Sequence, residues 1–333
     1  MSAELMKNFE KLQQYYFKKP IDHNKVELLT KGFSFAKNYR FEHEGKSYFA
    51  RFMSPKQSLE SREKECLITD YVGKIGIGPK VYYHDAKEGI LLIEFLEGRT
   101  AKIEDMIKAP NRDLIISQIT KVHQISEPFF PKAPTVSYFI QTTLKQSEKA
   151  VQLFEDMNLM SILNRLYEYE AQNNSAVLIH GDFNPNNIII HNGKVNFIDW
   201  TDAGLGEPFA DISWHAIFFP VTSHDQLLQY YFCTVDDLMR NKLISYFALR
   251  LFLRIAWSVQ HANLIKKNSE HLLIEQINQK SLPEPNELMV DLSAGKMSLD
   301  NFDNLIFYGT TMLNCLTRLA KTDRLQSAIE DLN

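Results

Sequence analysis

The chain has 333 residues, a length that accommodates one large or two moderate folding units. Lys and Arg number 37 against 41 Asp and Glu, a net charge of −4, and no dense basic block occurs, so composition argues against a nucleic-acid binder. Three cysteines (Cys66, Cys233, Cys315) lie far apart and odd in number; they form neither a metal spacing nor a disulfide framework, which points to a reducing compartment and hence the cytoplasm.

The first residues, MSAELMKNFEKLQQYYFKK, are mixed in charge and lack the apolar core of a signal peptide. Leu5 to Lys18 reads as a leading helix, with Phe9, Leu12 and Tyr16 on one face. Val26 to Leu29 and Asn38 to His43 read as strands, separated by a polar stretch that contains Gly32. A turn at Glu44-Gly45-Lys46 leads into a third strand, Ser47 to Met53, which carries Arg51. Ser61 to Lys74 has helical spacing, with Leu67, Ile68, Tyr71 and Val72 as the buried face. Gly76 to Pro79 ends that helix and a strand starts at Val81. After a turn at Lys87 to Gly89, Ile90 to Phe95 is a continuous apolar run.

Strand signals then stop for about eighty residues. Asn111 to Ile125 is helical by pattern, three prolines (Pro128, Pro131, Pro134) make a loop, and Ser137 to Gln172 reads as one or two helices with Phe139, Leu144, Leu153, Leu159, Leu163 and Leu166 inward. Beyond Phe209 the chain is mostly helical, with a polar break around Asn268 to Glu287. The most apolar long window, Ser245 to Ile265, contains Arg250, Arg254 and His261, so it predicts a buried helix and not a membrane span.

The stretch with the strongest chemical signal is Val177 to Phe209, VLIHGDFNPNNIIIHNGKVNFIDWTDAGLGEPF. Asn192-Gly193 between two β-rich runs predicts a two-residue hairpin turn. A turn there sets Asn187 opposite Ile198, next to Asp199, with Asp182 in the loop just before. Two carboxylates and an amide oxygen are the hard donors that suit Mg²⁺ together with substrate phosphates. A further carboxylate can accept a proton from an attacking hydroxyl. Each Asx residue alone would be an ordinary turn former; the bracketing of one hairpin by three is what carries the signal.

H-G-D-x-x-x-x-N followed by I-D-W resembles the phosphotransferase motif of the aminoglycoside phosphotransferase and choline kinase superfamily, most closely in the pattern of bacterial choline kinases. The resemblance implies an α+β, two-lobed protein kinase-like fold: a small N-terminal antiparallel sheet lobe with one helix (residues 1–97) and a larger, mainly helical lobe (98–333). It implies ATP and Mg²⁺ as cofactors, with Asp182 as the residue that orients or deprotonates the substrate hydroxyl and Asn187 and Asp199 as metal ligands. Arg51 stands where the family places a cation on the third strand, aimed at the phosphates. Its carboxylate partner would come from the following helix. Arg62-x-x-Glu65 and the count back from Gly78-Pro79 both favour Glu65, with Glu63 in reserve. Gly32 matches the first glycine of the nucleotide-covering turn, ahead of Asn38-Tyr39. Glu94, Phe95 and Leu96 match the hinge, whose backbone meets adenine. Val122-His123 resembles the family's Leu-His helix end and reads as structural. His180 and Asp211 would support the catalytic loop, Asp211 through N-cap geometry at its helix start.

The acceptor is less defined. Choline kinases follow the I-D-[WF] motif with Glu-Tyr, where this chain has Thr201-Asp202. They place two tryptophans three apart before Ser-x-x-Gln; here Trp257 matches the second and Arg254 stands at the first. A guanidinium in a cage for a quaternary ammonium is unfavourable. Arg250, Arg254, Trp257 and His261 share a helix face, either as a substrate wall for an anionic or polyhydroxyl group or as a polar seam paired within the lobe. Asp202, Arg254 and Trp257 are the candidate substrate residues. The expected partner is a small-molecule alcohol such as choline, ethanolamine or an aminoglycoside, with no nucleic acid and no membrane. The alternatives are a kinase-like modifier of a macromolecule, disfavoured by the short link from Asp199 to Asp211, and an inactive nucleotide-binding interaction protein, disfavoured by the intact Asp182, Asn187 and Asp199.

Overall fold

The computed structural model describes residues 3–17, 19–29, 36–173, 175–267, 270–279 and 281–330. The chain forms two compact units, Met1–Thr100 with Ile188–Ala203, and Ala101–Asn187 with Gly204–Asn333. A single break at residue 97/98 was the expectation; instead the hairpin after Asn187 groups with the N-terminal residues.

In the first unit, helix α1 (Ala3–Tyr15) precedes strands β1 (Val26–Leu29), β2 (Lys37–His43) and β3 (Lys46–Phe52), helix α2 (Leu59–Lys74), and strands β4 (Val81–Asp85), β5 (Ile90–Glu94) and β6 (Arg99–Thr100). Five of these strands form an antiparallel sheet in the order β1-β2-β3-β5-β4. Alternation along β2 buries Tyr39, Phe41 and His43 on one face. Phe9 of α1 packs edge-on against Tyr39, Phe41 and Phe52, with ring centroids 5.4–5.7 Å apart. The β2–β3 connection is a two-residue turn in which Glu44 and Gly45 both take positive φ (51° and 76°), and Lys46 already belongs to β3. Ser58 caps α2 by accepting from the Ser61 N–H at 3.2 Å. Ile68 and Val72 are buried as expected and Tyr71 is half-buried, but Leu67 is exposed, and α2 also buries Lys64, Glu65, Cys66 and Thr69. The buried face has rotated toward charged residues, for a reason visible at the site below.

The hairpin follows its predicted register. β8 (Ile188–His191) pairs with β9 (Lys194–Phe197), Ile188 opposite Phe197 and His191 opposite Lys194, around Asn192 and Gly193 at φ 47° and 72°. The two-residue strand β6 adds to β8 as a third strand; it is exposed and too short to show alternation, so no strand was expected there. Trp200 is 1% exposed. Its indole N–H donates to the Phe197 carbonyl at 3.1 Å, and the Phe197 N–H donates to Ile77 at 3.0 Å.

The second unit contains helices α3 (Ile103–Ile107), α4 (Asn111–Val122), α5 (Val136–Lys145), α6 (Glu148–Asp156) and α7 (Met160–Gln172), then strand β7 (Val177–Ile179), which pairs antiparallel with β10 (Gly204–Gly206). Helices α8 (Phe209–Ala216), α9 (His224–Tyr231), α10 (Asp237–Ile265), α11 (His271–Gln279), α12 (Pro285–Ser293), α13 (Phe302–Leu319) and α14 (Asp323–Glu330) complete it. The stretch from 137 to 172 thus holds parts of three helices where one or two were expected. Ser147 caps α6, and Asn158 takes a positive φ of 55° before α7. Helix α11 lies inside the expected polar break. The 29-residue α10 runs through the core against α5, α8 and α13, which is the burial its apolar pattern demands. Among the described residues no helix is long and apolar enough to cross a membrane.

Candidate active site

In the first unit, β3 presents Arg51, 6% exposed. Its Nε lies 2.8 Å from Glu65 Oε1, an ion contact that is not aligned as a hydrogen bond. Its Nη2 donates to Thr201 Oγ1 at 3.0 Å and lies 3.5 Å from Asp199 Oδ1. Thr201 in turn donates to Asp199 Oδ1 at 2.7 Å. Glu65 is 1% exposed and its second oxygen accepts from Gln57 Nε2 at 2.9 Å, whereas Glu63 is exposed. This is why α2 turns Glu65 inward. Burial pushes the Glu65 carboxyl up, only partly offset by Arg51 and Gln57. Burial disfavours the Arg51 cation, but Asp199, Glu65 and Asp202 outweigh it and hold the guanidinium above its ordinary value. Asp199 itself sits in the left-handed region at φ 61°, a conformation uncommon outside glycine that aspartate tolerates best.

Asp202 acts electrostatically on Arg51 and on Lys64, a residue 8% exposed whose pKa is lowered by burial. At the expected hinge, the Glu94 N–H donates to Lys80 at 2.8 Å and Glu94 Oε2 accepts from the Lys80 N–H at 3.3 Å. The Arg40 guanidinium lies 4.3 Å from the Phe95 ring centre, and Leu96 is half-buried. Gly98, just beyond, takes φ 134°, and a Cβ there would come within 2.7 Å of the Ile190 carbonyl oxygen. Gly32 lies outside the described residues.

In the second unit, β7 delivers His180, Gly181 and Asp182. Asp211 is fully buried and organises this loop. Its two oxygens accept the His180 N–H at 2.8 Å and the Gly181 N–H at 2.9 Å, and Oδ2 contacts His123 Nε2 at 2.9 Å. Burial alone would raise this carboxyl; His123, His180 and the backbone donor more than offset it, and its pKa is lowered. Asp211 is not an N-cap: α8 starts at Phe209 after Pro208, and Asp211 lies in its first turn with its carboxylate turned toward the loop. His180 is 0% exposed, and its Nδ1 lies 3.4 Å from the Asp182 N–H as acceptor. Asn187 closes the loop. Its Nδ2 donates to the Asp182 main-chain oxygen at 3.0 Å and to Asp182 Oδ2 at 2.9 Å, which turns Oδ1 to face elsewhere.

Further along the same unit, Arg250 and Arg254 of α10 both meet Trp214 of α8, with guanidinium carbons 4.8 and 4.3 Å from its ring centre. Arg250 is 3% exposed and donates to the Ala210 carbonyl at 2.8 Å. Arg254 donates to the Tyr308 hydroxyl. Trp257 lies tilted against His261, ring centroids 4.2 Å apart, and edge-on to Tyr308 at 6.3 Å. The shared helix face anticipated from spacing therefore exists, but its arginines converge on Trp214, which sequence reading missed. Gln57 and Lys64 were also missed, because neither stands in a motif, and Thr201 was noted only as a departure from Glu-Tyr, not as a partner of Arg51 and Asp199.

Among the described residues no three or more His, Cys, Asp or Glu side chains gather as a metal cluster. Asn187 of the second unit carries an amide oxygen and Asp199 of the first a carboxylate, each a donor of the hard oxygen type that Mg²⁺ takes.

The comparisons agree on family and fold. Residues 25–237, more than half of the chain, match the model of the phosphotransferase enzyme family. The protein LicA of Haemophilus influenzae is 22% identical over 159 residues, which span 47% of this chain and 60% of LicA's length. Among solved structures, the choline kinase LicA from Streptococcus pneumoniae superimposes with a TM-score of 0.59 at 17% identity, covering 88% of this chain and 98% of that one. An ethanolamine kinase from Plasmodium vivax gives the same TM-score at 17% identity over 98% and 91% of the two chains. The kinase-like architecture, with its five-stranded antiparallel N-terminal sheet and mainly helical remainder, is that of these neighbours. With the H-G-D-x-x-x-x-N loop, the I-D-W hairpin and the ion-paired Arg51 all inside the matched span, this chain belongs to the phosphotransferase enzyme family.

Proposed function

We propose that the protein transfers the γ-phosphoryl group of ATP to the hydroxyl of a small-molecule alcohol. Asp182 directs and receives the hydroxyl proton. Asn187 and Asp199 hold Mg²⁺, which when bound neutralises charge on the phosphate oxygens. Arg51, fixed by Glu65, steadies the phosphates, and the backbone at Glu94, Phe95 and Leu96 receives the adenine. Phosphoryl transfer has a loose transition state, so placement and charge do most of the work; positioning can supply roughly 7–11 kcal/mol. The three free cysteines suit a reducing compartment, and we place the enzyme in the cytoplasm.

The observation that carries this reading is the double hydrogen bond from Asn187 Nδ2 to Asp182. It holds a carboxylate in a defined orientation while reserving an amide oxygen for a cation, an arrangement that a mere turn does not need. The short link from Asp199 to Asp211 disfavours a protein substrate, because it leaves little chain for an activation segment. The test is ADP formation from Mg-ATP across a panel of alcohols. Acceptor-dependent turnover that disappears in Asp182→Asn and Asp199→Asn is expected; turnover retained in both variants would remove these residues from the mechanism.

A further inference from the structure

Arg250 and Arg254 stand one turn apart on α10 and both lie against Trp214. Like charges at this spacing repel, and withdrawing a cation from water is costly unless it is paired. Yet neither guanidinium forms an ion pair with a carboxylate among the described residues. Arg250 has a backbone carbonyl and Arg254 a tyrosine hydroxyl. Arg254 Nε and Nη2, Arg250 Nε and Trp214 Nε1 are buried donors with no hydrogen-bond partner among the described residues. Of the three carboxylates whose charge reaches Arg250, those of Asp182, Asp211 and Glu170, the last two are committed elsewhere. Glu170 accepts the N–H groups of Val136 and Ser137 at 2.9 and 2.7 Å, and Asp211 holds the loop.

The cluster also has a defined address. Trp214 follows Asp211 by one turn on α8, the helix whose carboxylate fixes His180 and Gly181. Arg250 feels the charge of Asp182, the proposed acceptor of the hydroxyl proton. Burial first, and then the neighbouring Arg254, lower Arg250 to about 10, against the raising effect of Asp182, Asp211 and Glu170.

Resting on the phosphotransferase reading above, we infer that the acceptor alcohol carries an anionic group, a carboxylate or a phosphate, which docks on the Arg250–Arg254 pair beside Trp214. A guanidinium fork matches either anion with two parallel hydrogen bonds, and the free Trp214 N–H adds a third donor. The same pair repels a quaternary ammonium or an aminoglycoside, so cationic acceptors are the disfavoured class.

The experiment uses the full chain with Mg-ATP and three sets of acceptors: hydroxy-carboxylates (glycerate, 4-hydroxybutyrate), phosphorylated alcohols (glycerol 3-phosphate), and cationic alcohols (choline, ethanolamine, kanamycin). The best anionic acceptor is expected to exceed every cationic one by at least a hundredfold in kcat/KM, and the first two sets decide between carboxylate and phosphate. Arg254→Gln should raise the acceptor KM at least thirtyfold with a smaller change in kcat; Arg254→Lys, which keeps the charge and loses the fork, should recover part of that loss. Binding of the same anionic alcohols without nucleotide, followed by tryptophan fluorescence, gives a second readout that does not depend on catalysis. Efficient turnover confined to choline, ethanolamine or kanamycin would overturn the inference and leave the kinase reading intact. No turnover with any set, together with no binding of the anionic alcohols, would overturn both.

Discussion

Asn187 Nδ2 reaches Asp182 twice, at the main-chain oxygen (3.0 Å) and at Oδ2 (2.9 Å), so one amide fixes both the backbone and the carboxylate of the residue five positions before it. The amide oxygen of Asn187 takes no part in these two hydrogen bonds. In the proposed mechanism a single residue thereby couples the orientation of the proton acceptor to the placement of the cation.

Replacing Asn187 with Ala should therefore damage two functions at once. The expected result is a fall in kcat of at least a hundredfold, with a raised Mg²⁺ requirement. Asp182→Asn, which keeps the shape and removes the proton acceptor, should lower kcat by about a hundred- to ten-thousandfold while ATP affinity is retained. Steady-state kinetics with Mg²⁺ titration and circular dichroism separate these effects from misfolding. A normal Mg²⁺ dependence in Asn187→Ala would contradict the proposed ligand role.

Glu65→Gln tests the ion pair in the first unit. The substitution leaves Arg51 buried, with Asp199 as its nearest carboxylate, 3.5 Å away. Breaking a buried pair on one side costs about 3–5 kcal/mol, so the melting temperature should drop by several degrees. Asp199, drawn further onto Arg51, would serve the metal less well, and KM for Mg-ATP should rise tenfold or more. Equal thermal stability and an unchanged KM would show Glu65 to be dispensable for holding Arg51.

Acid should weaken the second unit well above the range in which ordinary carboxylates titrate. His215 and His224 are buried, and burial lowers both to about 4. His215 is held between the Met106 carbonyl at 2.6 Å and the Tyr231 hydroxyl at 2.7 Å, a pairing that uses the neutral ring as donor on one side and acceptor on the other. In the unfolded chain these histidines titrate near 6.5. The folded value is the lower one, so the unfolded state binds more protons between about pH 6.5 and 4. Stability is accordingly complete above that window and is lost as pH falls through it, by roughly 1.4 kcal/mol per pH unit per histidine at most. Denaturant melts at pH 7, 5.5 and 4.5 should show this slope, and His224→Gln should flatten it. A stability independent of pH from 7 to 4.5 would mean that these rings are not held neutral.

Short-range chemistry was legible from the residues alone. Asn192-Gly193 fixed the hairpin register because both positions accept positive φ, and the pairing of Ile188 with Phe197 follows from that one turn. The α+β architecture was likewise readable, because β2, β3 and β5 alternate or run apolar while α10 is long and largely apolar. Leu67, β6 and the division of 137–172 were misread because exposure, a two-residue strand and a cap at Ser147 each depend on neighbours outside the local window.

What the linear chain determined, then, is the inventory and order of oxygen donors around one hairpin, since turn preference and periodicity act over a few residues. Tertiary structure alone decided which side chains answer them. Asp211 meets His123 across 88 positions, Arg51 meets Thr201 across 150, and Trp214 gathers Arg250 and Arg254 from another helix. Such partners are chosen by burial: a charge withdrawn from water must find its counterpart wherever packing brings one, and no spacing along the chain encodes that meeting.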